Sequence, residues 1–108
     1  MFARTTLLEI DTMRVPVEHA LEVFKDSVIF RLEQQSGFRG LYAFTTPEGR
    51  AMLITFWDRA DQADASGDAG WYPDVLAEFT TMFRSPPGRE HYEVRLALPP
   101  AMAGSISY

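Results

Sequence analysis

The side chains of this 108-residue chain suited to proton transfer or ligand binding are two histidines, four tyrosines and a run of aspartates. His91 stands two residues before Glu93 in HYEVRLAL. On an extended strand both would share a face, and the carboxylate would orient the imidazole as a general base. The start of a strand is also where solvent exposure is the usual outcome. His19 lies beside Glu18 and one turn before Glu22, off the apolar stripe of its segment, so it reads as a surface residue. No His-x-x-x-His spacing and no cysteine occur, so the sequence predicts no metal site. Asp58, Asp61, Asp64 and Asp68 fall at helical spacing. They lack the glycine and terminal glutamate of a calcium loop, and they suit a solvated helix capped by Asp58. Tyr42, Tyr72 and Tyr92 could each donate a hydroxyl to a substrate oxygen. Phe24, Phe44, Trp57, Trp71, Phe79 and Phe83 would furnish pocket walls, or simply core.

The elements that must position these groups follow from the periodicity. Phe2 to Ile10, rich in Thr, Leu and Ile, reads as a strand. Pro16 suits the first turn of a helix whose stripe is Val17, Ala20, Leu21, Phe24, Val28 and Leu32, ending near Gln35. Gly37 supplies a left-handed cap, with Phe38 closing the helix end. Leu41 to Thr45 and Ala51 to Trp57 form a hairpin about the turn Thr46-Pro47-Glu48-Gly49. A short Ala-rich helix follows Asp58. A second amphipathic helix carries Trp71, Tyr72, Val75, Leu76, Phe79, Met82 and Phe83, and Ser85-Pro86-Pro87-Gly88 stops it. His91 to Leu98 is the last strand, with Tyr92, Val94, Leu96 and Leu98 on one face. The order βαββαβ predicts an α+β, ferredoxin-like domain over residues 1–98 with a four-stranded antiparallel sheet, followed by a tail over 99–108.

Composition narrows the class. A 46% hydrophobic content suffices for a core. Fifteen acids oppose ten bases, and the bases are scattered, so no basic face for nucleic acid arises. No apolar run approaches the ~18 residues of a membrane span, and the expected compartment is the cytoplasm.

The stretch Ala51-Met52-Leu53-Ile54-Thr55-Phe56-Trp57 is apolar on both faces, whereas a strand with one wetted face should alternate. Helices can cover one face. A second copy of the chain is the expected cover for the other, so the sequence predicts a homodimer.

The long helix ending in Gln35-Ser36-Gly37-Phe38-Arg39-Gly40, the Gly-turned hairpin, Leu53-Ile54-Thr55-Phe56-Trp57-Asp58 and the closing Tyr92-Glu93-Val94 together resemble the antibiotic biosynthesis monooxygenase family over residues 2 to 98. The resemblance implies a dimeric α/β barrel with a cavity between sheet and helices in each subunit. It implies cofactor-independent oxidation of a quinol-like or enolisable compound in some members, and haem degradation or isomerisation in others. Trp57 matches the family's Trp at the end of the third strand, whose indole N–H can face a developing oxyanion. Leu53 stands where the anthrone-oxidising members carry Asn, and the Asn and His of the haem degraders have no counterpart here.

Two functions remain open. One is a cofactor-independent monooxygenase acting on a small aromatic or enolisable carbonyl compound, with Trp57 and His91 as catalytic candidates. The other is a non-catalytic dimeric module that binds a small ligand or offers an interaction surface. A cavity bordered by Trp57 and a polar side chain favours the first; a purely hydrocarbon cavity favours the second.

Overall fold

The structure is a computed structural model, and it describes residues 1–68, 82, 88–98 and 100. Four antiparallel strands form one sheet in the order β2-β3-β1-β4, with β1 (Phe2–Glu9) and β3 (Arg50–Trp57) at its centre. β2 (Phe38–Thr45) lies at one edge and β4 (Gly88–Glu93) at the other. Among the described residues the helices are α1 (Val17–Phe24), which runs through a π-helical stretch (Lys25–Ile29) into α2 (Phe30–Glu33), and then α3 (Ala60–Asp68). The second amphipathic helix expected around Trp71, Tyr72, Phe79 and Phe83 lies outside the described residues, apart from Met82, which is buried in the core.

The hairpin forms as its turn residues require. Gly49 has φ +98°, its N–H donates to Thr46 O at 3.0 Å, and its carbonyl accepts from Ile10 N–H at 2.7 Å. Gly37 has the expected positive φ of +81°, but not as the helix cap: the helix ends at Glu33 with Gln34 as its cap, and Gly37 lies in the following turn, in which Phe38 N–H donates to Gln35 O at 3.3 Å. Phe38 differs from expectation: it is the first residue of β2, not a cover for the helix end, and stacks edge-on against Trp57 at 5.4 Å. The last strand differs too. It runs from Gly88 to Glu93, and the chain then leaves the sheet after one bond from Val94 N–H to Met1 O, 2.9 Å. Leu96 and Leu98 are each 92% exposed, so their alternation with Tyr92 is apolar without being paired.

The long helix carries apolar residues every fourth position: Ala20, Phe24, Val28 and Leu32. At 3.6 residues per turn a regular α-helix would let such a row drift by about 120° over these twelve residues. Ala20, Val28 and Leu32 are nonetheless all buried. The wide π turn between them absorbs the drift and keeps the row on the sheet.

The sheet has two unlike faces. Toward the helices point Arg4, Thr6 and Leu8 of β1, Ala51, Leu53, Thr55 and Trp57 of β3, and Phe38 and Leu41 of β2. On the other side lie Leu7, Tyr42, Phe44, Met52, Ile54, Phe56 and Tyr92. Among these Leu7, Phe44, Met52 and Tyr92 are exposed. The apolar character of both faces of β3 is therefore real, and the described residues cover only one of them.

Candidate functional site

Trp57 is completely buried at the helix-facing end of β3. Its indole N–H donates to Thr55 Oγ1 at 3.0 Å, and the Thr55 hydroxyl reaches Arg4 O at 3.4 Å. Two residues apart on a strand, Thr55 and Trp57 share a face, so this bond follows from the local geometry. The indole donor assigned by resemblance to a substrate oxyanion is thus engaged inside the protein.

The residue that sequence reasoning missed is Arg4. It reads as one of several scattered bases, yet it is only 3% exposed, directly across β1–β3 from Thr55. Its guanidinium lies 5.4 Å from the Trp57 ring centroid and donates through Nη1 to Ala63 O of α3 at 2.6 Å. A cation over an indole face is favourable, and more so when water is excluded. With Thr6, also buried, these groups make a polar row inside the layer between sheet and helices: Thr6, Arg4, Thr55 and the indole of Trp57. The available signal was Thr55, the one hydroxyl in the otherwise apolar run over residues 51–57, opposite the polar alternation of β1.

On the same face and one register step from that row, a cavity of about 50 Å³ lies between α1 and the sheet. Leu8, Ala51 and Leu53 form its floor, and Ala20, Leu21 and Phe24 its helical wall. Among the described residues its lining holds no titratable side chain. Leu53 belongs to the cavity and pairs with Thr6 of the polar row, so the two features adjoin.

Among the described residues the expected pocket side chains divide between the two faces of the sheet. Trp57 and Phe24 lie on the helix side, while Tyr42, Phe44 and Tyr92 lie on the open side of the sheet. There Tyr42 packs with Phe44 and Phe56 at ring distances of 6.1 and 6.0 Å, and the Tyr92 hydroxyl donates to Glu90. Phe44 also reaches the rim of the cavity from the sheet edge. His19 is exposed on α1. The backbone of His91 pairs with Arg4, and its side chain is outside the described residues, as are Trp71, Tyr72, Phe79 and Phe83. Among the described residues no group of three His, Asp or Glu side chains comes together to hold a metal ion, and no helix is long and apolar enough to cross a membrane.

The joint between β2, β3 and α3 is fixed by charge. Arg39 is the extra residue of a bulge between Phe38 and Gly40, and its guanidinium grips both oxygens of Asp58, at 2.6 and 2.9 Å. That hydrogen bond and the carboxylate's negative charge raise the Arg39 pKa, and the same bond with the guanidinium's positive charge holds the Asp58 carboxyl below its ordinary value. Asp58 was expected to cap the helix, but its carboxylate serves Arg39. Gln62 Oε1 instead accepts from Arg59 N–H at 3.1 Å, the reciprocal half of a capping box. Asp61 pairs with Arg59 at 2.9 Å.

No protein-family model matches the chain, and no curated protein matches it by sequence. Solved structures do. A protein of unknown function from Nitrosomonas europaea is 22% identical, with a TM-score of 0.72 over 93% of this chain and 94% of that one. SnoaB, a cofactor-independent oxygenase from Streptomyces nogalater, is 12% identical, with a TM-score of 0.74 over 92% of this chain and 97% of its own. A further antibiotic biosynthesis monooxygenase is 13% identical, with a TM-score of 0.70 over 92% of this chain and 100% of its own. Identities this low speak to architecture alone, and the TM-scores agree with the α+β fold described above. The chain has the fold of the antibiotic biosynthesis monooxygenases.

Proposed function

We propose that the protein is a homodimeric, cofactor-independent monooxygenase for a small phenolic or enolisable ring compound bound between α1 and the sheet. The observation that carries this reading is the junction of an apolar cavity with the buried row Thr6, Arg4 and Thr55, reached at Leu53. An apolar pocket with a few convergent polar groups is the ordinary form of a small-molecule site. A guanidinium held in a dry layer favours the anionic form of a nearby phenol or enol, and that anion is itself the electron donor to O₂. With 1-naphthol as the probe, a ring C–H and the O–H are lost, two electron pairs leave the ring, and one oxygen atom enters. The overall change is C₁₀H₈O + O₂ → C₁₀H₆O₂ + H₂O, so no external reductant is required.

Trp57 then has a positioning role: it forms the floor on which Arg4 rests. The open face of the sheet, with Leu7, Phe44, Met52 and Tyr92 exposed, is read as the surface that meets a second copy. The fold shared with SnoaB supports the oxygenase reading, since that protein is a cofactor-independent oxygenase.

Oxygen uptake by purified, chelator-treated protein with 1-naphthol tests the proposal. Uptake matched mole for mole by naphthoquinone, and abolished in Arg4→Met, is expected. Saturable binding without oxygen uptake would reject the oxygenase. That outcome would establish the second reading, a ligand-binding module, which the apolar lining that the described residues give the cavity favours.

A further inference from the structure

We propose that the π-helical stretch Lys25–Ile29 is the gate of the cavity, moving along α1 to admit a ring-sized apolar ligand. The inference rests on the cavity being the ligand site. The cavity is half open to solvent, but at about 50 Å³ it holds only a few waters. A cavity of ~150 Å³ is the scale at which an apolar protein interior takes up benzene. Entry therefore requires the wall to move, and the wall of Ala20, Leu21 and Phe24 lies in the two turns directly before the π stretch.

A π turn holds one more residue than an α turn, and such turns recur at functional sites inside otherwise regular helices. Shifting that extra residue toward the N-terminus turns every residue it passes by about 100° and advances it by about 1.5 Å. Val28 and Leu32 are anchored in the core on one side and Ala20 on the other, all buried. Leu21 is exposed and Phe24 half-buried, so these two are the residues free to turn away from Ala51 and Leu53. The stretch itself contains Ser27, Val28 and Ile29, whose helix propensities are modest, and this weakens its hold on one register.

Deleting the exposed Asp26 removes the extra residue and leaves a regular helix in which Ala20 and Phe24 keep their phase with Val28 and Leu32. The deletion variant is expected to retain the native circular dichroism and cooperative melting while binding 1-naphthol about tenfold or more weakly by calorimetry, since the open state is lost. Equal affinity in the deletion variant and the parent chain would overturn the gate and leave the site intact. A parent chain that does not bind 1-naphthol at all would overturn the site and the gate with it. Should the deletion variant fail to fold, amide exchange of the parent chain decides: saturation with 1-naphthol must transfer weak protection from Lys25–Ile29 to α1, and an unchanged pattern would refute the gate.

Discussion

The indole N–H of Trp57 is 3.0 Å from Thr55 Oγ1, and the two residues face the helix layer from the same strand. Replacing Thr55 by Val keeps the shape and leaves a buried donor without its partner. A loss of about 1–3 kcal/mol is expected in urea denaturation, larger than a surface Thr→Val change. Trp57→Phe removes the donor as well and should cost less than Trp57→Ala, which is expected to cost about 3–5 kcal/mol. Equal stability of Thr55→Val and the parent chain would show that the bond does not constrain the ring.

Arg39 and Asp58 predict an acid dependence. The Asp58 carboxyl is held below its ordinary value, first by the Arg39 hydrogen bond. A depressed carboxyl contributes its stability above the unfolded value, near pH 4, and loses it as pH falls through the depressed value. Asp58→Asn should therefore lower the melting temperature modestly at pH 7, the pair being exposed, and converge with the parent as the pH falls below about 4, which flattens the acid limb. An acid limb identical to the parent's would place the titrating group elsewhere.

Two glycines differ in what surrounds them. Both Gly37 and Gly49 have positive φ, so alanine at either is strained by about 1–3 kcal/mol. A methyl at Gly37 would first meet the Gln62 side chain, which can turn aside. At Gly49 it would meet the Ile10 carbonyl, which is backbone. Gly49→Ala is expected to be the more destabilising in thermal denaturation. The reverse order would mean that the Gln62 bond to Arg59 N–H matters more than the hairpin turn.

The uncovered sheet face predicts self-association. Light scattering of the parent chain should give twice its 12.2 kDa mass at micromolar concentration. Ile54→Asp, at the centre of that face between Thr5 and Tyr42, should give the monomer. A parent chain that stays monomeric would remove the homodimer and with it the reason for an apolar open face.

Much of this architecture was legible in the sequence because it rests on local signals. Gly49 and Gly37 announce the two turns that precede β3 and β2, and the apolar run over residues 51–57 announces a sheet that needs cover on both sides. Side-chain pairings across the chain were not legible. Nothing near Asp58 in sequence points to Arg39, nineteen positions earlier, so a helix cap was the natural expectation. Arg4 looked like surface because charge in an edge-like polar alternation normally faces water. Its burial depends on β1 being central, between β3 and β4. The aromatic residues divided between faces for the same reason: alternation separates Tyr42 and Phe44 from Trp57 only once the bulge at Arg39 fixes the register.

The most direct test of the account is to map where 1-naphthol binds by following the amide resonances of the labelled chain during titration. The account predicts saturable shifts at Thr6, Leu8, Phe24, Leu53 and Thr55, on the helix-facing side of the sheet. Shifts confined to Tyr42, Phe56 and Tyr92, on the opposite face, would contradict it.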